Sequence, residues 1–195
     1  MKQNDVLSPS GHLEIYKIYK DGTEEKVFDD HNVITSGMGV GLATLFVGQG
    51  SSIEDFQIRY FQVGSGAPTT YNLTQSGLEK PIDVTKGNYY GTAITSTHKV
   101  LLHTGGGSSD QVFAYIADNG IKKSSPTSVT YLLYLNEDAE IPEDINEVGL
   151  FMSNPLATHI HSASAKRSPL VAYKQFTSLR KSDEFSLVFK WKLNF

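Results

Sequence analysis

Five groups of residues in this chain could do chemistry, and each implies a different kind. "HIH" at His159 to His161 places two imidazoles at i and i+2. On a strand those positions share a face, so both rings could meet one metal ion. No acid or third histidine lies close in sequence, so the two are weak metal candidates and no bound metal is expected. The run "NEDAEIPEDINE" carries Glu137, Asp138, Glu140, Glu143, Asp144 and Glu147. Its spacing does not match a calcium loop, which needs acids at fixed alternate positions, a central glycine and a final glutamate. The run therefore reads as a solvated face. Among the many serines there is no G-x-S-x-G elbow and no S-x-x-K at a helix start, so no catalytic residue is assigned.

The fourth group is Gly37, Gly39 and Gly41 in "NVITSGMGVGLATLF", where a β-like pair, a glycine run and a helix start follow one another as in a phosphate loop. The spacing is one residue short of G-x-G-x-x-G. The other phosphate motif needs G-K-[ST], and no lysine lies between Lys26 and Lys80. No nucleotide or other cofactor is expected. The glycines read as a corner that turns the chain and lets a short helix sit close against a sheet. The fifth group is a set of tyrosines, Tyr16, Tyr19, Tyr60, Tyr71, Tyr89 and Tyr90, that fit no core stripe. Exposed tyrosines stack on sugars or anchor protein contacts, and Tyr16, Tyr19, Tyr89 and Tyr90 are the interface candidates.

Composition narrows the partners. The chain has 195 residues, 39% of them hydrophobic and 19% charged, enough to build a core and far from the disordered regime. A net charge of -4 gives no general attraction to nucleic acid or anionic lipid, so neither is expected as a partner. With no cysteine, disulfides and thiolate chemistry are excluded. The first residues, "MKQNDVLSPSGH", have no apolar stretch of the secretory kind, and no apolar run approaches the ~20 residues of a membrane span.

The elements that must position these groups are mostly strands. Residues 1–11 read as a polar arm, and 12–195 as a single domain. Asp21-Gly22 suits a tight hairpin between strands near 12–19 and 24–30. Leu42, Leu45 and Phe46 share a helical stripe, which predicts a short helix over 42–47. "FQIRYFQVGSG" from Phe56 reads as a strand ending in a glycine turn, followed by a loop in which Leu73 and Leu78 tack the chain down. Between 82 and 135 several β-prone runs are separated by "GGGSSD" and "DNGIKKSSPTS", both read as hairpin loops. At the end, Phe185, Leu187, Phe189, Trp191, Leu193 and Phe195 alternate with smaller or polar residues, as in a strand with one buried face. Many short strands with one short helix predict a mainly β protein, an antiparallel β-sandwich.

The order of these elements resembles a type of tailed-bacteriophage virion protein found among tail, baseplate, collar and head-accessory components. The likeness lies in a hairpin leading to an "N-x-I-x-x-G" turn at Asn32 and a short apolar helix. It continues in "FQVGSGAPTT" with a following leucine, Leu73 or Leu78, and in "INEVGLFMS". It closes in "LVAYKQFTSLRKSDEFSLVFKWKLNF", where a lysine precedes an alternating strand with W-x-[IL]. The resemblance implies a non-enzymatic protein that assembles in multiple copies on a virion, with other virion proteins and copies of itself as partners. It implies synthesis in the host bacterial cytoplasm and no catalytic residues. A capsid decoration or head-fibre protein is the alternative place, and a carbohydrate-binding module for cell-surface attachment, with a glycan contact through the tyrosines, the alternative activity.

Overall fold

Asp21-Gly22 makes the turn its type predicts. Gly22 has φ +85°, a conformation open to glycine, and its N–H donates to Tyr19 O at 2.9 Å. The hairpin arms are β1 (Ser10–Tyr19) and β2 (Glu24–Ile34). The structure is a computed structural model that describes residues 9–48, 52–66, 72–82, 101–103, 111–116, 118–137, 139, 141, 143–153 and 169–195. Ser10 and Gly11, assigned by sequence to the arm, already belong to β1, and β2 runs four residues beyond its expected end. Both extensions follow from pairing, since Ser10 faces Asn194, and Val33 and Ile34 face Tyr173 and Ala172.

After α1 (Ser36–Phe46) come β3 (Ile58–Gly64), β4 (Leu101–His103), β5 (Gln111–Tyr115), β6 (Ile121–Ser125) and β7 (Ser128–Leu135). The chain then forms β8 (Ile145–Met152), β9 (Leu170–Leu179) and β10 (Phe185–Asn194). Among the described residues the protein is mainly antiparallel β with one α-helix, as its patterning predicts. The expected two layers, however, are one continuous sheet in the order β4-β5-β3-β8-β9-β2-β1-β10-β7-β6. Its two halves join at β2, whose residues up to Asn32 pair with β1 while Val33 and Ile34 pair with Tyr173 and Ala172. The sheet curls there, because residues from both halves share one core. Leu13, Ile15, Leu133, Phe189 and Trp191 come from one half, and Val63, Val148, Leu150 and Val171 from the other.

β10 contributes five side chains to that core. Phe185, Leu187, Phe189, Trp191 and Leu193 are buried as the alternation predicts, each side chain worth about 1.5–3 kcal/mol of burial. Phe195 departs from the row: it lies past the strand end and is 39% exposed. The Trp191 indole donates to Asn32 Oδ1 at 2.7 Å, and Gly11 is glycine because any Cβ there would run into the Asn32 side chain.

Three further expectations need correction. The helix begins at Ser36, not near 42, so Gly37, Gly39 and Gly41 lie inside α1 and do not turn a corner. The close approach expected of them is real at two positions: a Cβ on Gly37 would collide with Leu170 O, and one on Gly41 with the Met152 thioether. Part of "DNGIKKSSPTS" is strand β6 and not loop, since Ile121–Ser125 pairs back onto β7 through a tight turn at Pro126 and Thr127. Leu78 is buried as expected, but Leu73 is 67% exposed and holds the chain only through its carbonyl, which accepts from Ser36 N–H at 2.7 Å. The "GGGSSD" loop lies outside the described residues.

Candidate functional site

The acidic run contains a residue that its composition conceals. Glu147, read as part of a solvated face, is fully buried on β8. Its Oε1 accepts from Gly66 N–H (3.1 Å) and Lys80 N–H (2.8 Å), and its Oε2 from Glu79 N–H (3.0 Å) and the Tyr173 hydroxyl (2.8 Å). Four donors satisfy the charge without a cation, which is what a buried carboxylate requires. A Cβ on Gly64 or Gly66 would fall on that carboxylate, so the "G-S-G" sequence is the space the glutamate occupies. The result is a clamp. The segment leading to Ile82 bridges onto the end of β3 (Gly64 with Pro81) and covers a second apolar cluster of Tyr60, Leu78, Phe151, Leu170 and Tyr173. Glu143 lies outside this clamp, holding Ser65 Oγ at 2.5 Å and Lys80 Nζ at 3.1 Å, and these bonds lower its pKa. With every acceptor of Glu147 engaged by the fold, its place is structural.

The described tyrosine candidates are also engaged. The Tyr19 hydroxyl donates to Glu25 at 2.7 Å while its ring stands edge-on to Phe185 at 5.7 Å. Tyr16 is half-buried, and burial followed by the neighbouring Glu14 charge raises its phenol pKa. Tyr60 is buried. Tyr71, Tyr89, Tyr90, His159 and His161 lie outside the described residues.

A second polar group, missed in the sequence, forms on the outer face of β2, β1 and β10. The strand register sets His12 against His31 and Lys192, and Glu14 against Asp29 and Lys190. His12, Glu14 and Asp29 bring ligand-type atoms within 4.8 Å of one another, an arrangement that resembles a metal site. Its charges are already balanced. Lys190 Nζ lies 2.8 Å from Glu14, Lys26 pairs with both Asp29 and Glu14, and His12 Nε2 is 2.7 Å from Asp29. These lysine contacts lower the pKa of Glu14 and Asp29 and raise those of Lys26 and Lys190. A divalent ion would have to enter against two ammonium groups, so the cluster reads as a cross-strand charge ladder. The signal was available in "H-x-E" on one hairpin arm and "D-x-H" on the other, once the hairpin register is fixed.

The surface with spare binding capacity is elsewhere. At the end of the molecule where α1, the start of β3, β6 and β7 meet, an open pocket of about 310 Å³ is walled by Met38, Leu42, Phe56, Val129 and Phe195 among others. Arg59 and Tyr131 bring polar groups to it. Tyr131 is 5% exposed, its hydroxyl makes no hydrogen bond among the described residues, and burial pushes its pKa up to about 12. The described lining is mostly apolar with a few polar groups, as binding pockets are.

Its rim is unusually apolar. Along α1, Met38, Leu42 and Phe46 share one stripe at i, i+4 and i+8, buried at the first and 81% exposed at the last. In the adjoining 3-10 turn (Ile53–Phe56), Ile53 stands one turn before Phe56, at i and i+3, and is 74% exposed. Val40, Val47 and Leu73 are exposed beside this helix, leaving Tyr134 as the one large exposed apolar residue among the described ones that is remote from α1 and the pocket. Apolar residues gathered at one end mark an interaction surface. Neither the stripe nor the tip stands out in the sequence, because Phe46 reads as a buried helix residue.

Comparison of the chain with protein-family models, curated proteins and solved structures finds no match. Among the described residues no helix is long and apolar enough to cross a membrane.

Proposed function

We propose that the chain is a non-enzymatic structural protein of a tailed-bacteriophage virion, assembling in multiple copies in the tail, baseplate or collar. One observation carries the reading: motifs that give the phage resemblance but lie far apart in sequence meet in space as joints of the fold. The glutamate of "INEVGLF" clamps the glycines of "GSG", and the asparagine of "N-x-I" holds the tryptophan of "W-x-L". The lysine of "LVAYKQF", Lys174, reaches across to Asp30 at 2.7 Å and over the Phe28 ring. Residues that make such joints define a scaffold, and a scaffold with an apolar end is suited to packing against neighbours.

Cryo-electron microscopy of purified virions tests this. The expected result is density for several symmetry-related copies of this curled sheet in the tail, baseplate or collar, with the α1 end covered. Copies found on the head surface would move the protein to a decoration role, and particles containing no copy would end the proposal.

A further inference from the structure

The two walls of the pocket differ in a way that fits them to each other's counterparts. One wall, α1 with the 3-10 turn, bears the exposed Phe46 and Ile53 and carries Glu54, which is also exposed. Across the pocket stands β6, where Ile121 lines the cavity and Lys123, two residues on, shares its side of the strand. Neither Glu54 nor Lys123 makes an ion pair among the described residues. Exposed apolar residues and a negative charge thus belong to the elements on one side of an apolar recess, and a positive charge to the strand on the other.

That adjacency selects the symmetry. A two-fold axis in the plane of contact places each point of a patch against the point on its opposite side. The projecting wall of one copy then enters the recess of its partner, and the reverse occurs at the same time. A ring would need projection and recess on different faces of the molecule. We infer that this end of the protein is a two-fold contact with a second copy of the chain, in which Phe46 and Ile53 of each copy fill the other's pocket and Glu54 of each meets the partner's Lys123. The inference rests on the reading of the α1 end as an assembly surface. A volume of about 310 Å³ is at the small end for ligand sites and suits one or two inserted side chains. The Tyr131 hydroxyl, which makes no hydrogen bond among the described residues, can take an acceptor from the inserted segment.

Sedimentation equilibrium of the purified chain between ~1 and ~200 μM spans the affinity expected of a contact this size. The wild type should show a monomer–dimer equilibrium. Phe46→Ser should weaken it by about 30-fold or more, as loss of a central aromatic anchor does. Being exposed in the single chain, Phe46 can be replaced without disturbing the fold, and an unchanged circular dichroism spectrum verifies this. Glu54→Lys and Lys123→Glu should each weaken the dimer severalfold, and the double variant, which restores opposite charges across the axis, should return to within about threefold of wild type. A chain monomeric throughout, a dimer indifferent to Phe46→Ser, a double variant no better than the singles, or a closed ring of three or more copies would each overturn the inference. The virion maps separate the two claims. An α1 end covered by a different protein removes only the two-fold contact, whereas an α1 end left open in the particle removes the assembly surface itself.

Discussion

Glu147 shows how one buried charge can organise a region without doing chemistry. Its two oxygens receive four hydrogen bonds from three backbone N–H groups and a phenol, and these are the bonds that hold the segment ending at Ile82 against β3. Glu147→Gln keeps the shape but replaces one acceptor oxygen by a donor facing donors. That change should cost about 3 kcal/mol, since a buried group loses a partner and repels another. Urea denaturation should show the lowered midpoint, and hydrogen exchange should show early loss of protection at the Gly66 and Lys80 amides. Glu143→Gln, only a few residues away but exposed, should cost under about 1 kcal/mol. Equal effects would mean that the clamp contributes nothing. The difference between the two glutamates was not legible in a run of six acids, because burial depends on what covers the strand. The glycines at 64 and 66 were legible as a turn, but not as the space the carboxylate fills.

The helix teaches a related lesson about elements. Three glycines in its first two turns argue against helix by propensity, and the stripe of Leu42, Leu45 and Phe46 marks only the end of the element. Tertiary contact overrides propensity here, because Gly37 admits the Leu170 carbonyl, to which the Thr35 hydroxyl also donates, and Gly41 admits Met152. Gly39 has nothing within 4 Å of its Cβ position, so it carries the entropic penalty without a packing reason. Gly39→Ala should therefore stabilise the protein by roughly 0.5–1 kcal/mol. Gly37→Ala, which drives a methyl into a backbone carbonyl, should destabilise it by about 1–3 kcal/mol. Thermal denaturation of the two variants checks the signs, and a loss of stability in Gly39→Ala would show that the helix needs glycine there for another reason. The strands were easier to read: the Asp21-Gly22 hairpin and the β10 alternation are local patterns, whereas β6 hid in a stretch of lysines and serines that pairs only on its inner neighbour.

At the scale of the molecule, the curl of a single sheet was out of reach of the sequence, since strand order leaves no periodic trace. Only two residue pairs, Val33 with Tyr173 and Ile34 with Ala172, join its halves through β2 and β9. If backbone pairing were the main link, the halves could melt separately. The apolar core argues otherwise, because Trp191 and Phe189 of one half and Leu150 and Val148 of the other belong to one buried cluster. Removing packing from either half therefore lowers the stability of both. Trp191, the one tryptophan, reports on its half by fluorescence, and the amides of β8 and β9 report on the other by hydrogen exchange. Leu150→Ala, a fully buried truncation in the half without the tryptophan, should cost about 2–5 kcal/mol and shift the Trp191 transition in urea by as much as it shifts the loss of β8–β9 protection. A Trp191 midpoint left in place while β8 and β9 open early would mean two units joined by a short ladder. In that case neighbouring subunits, and not the shared core, would have to hold the curl.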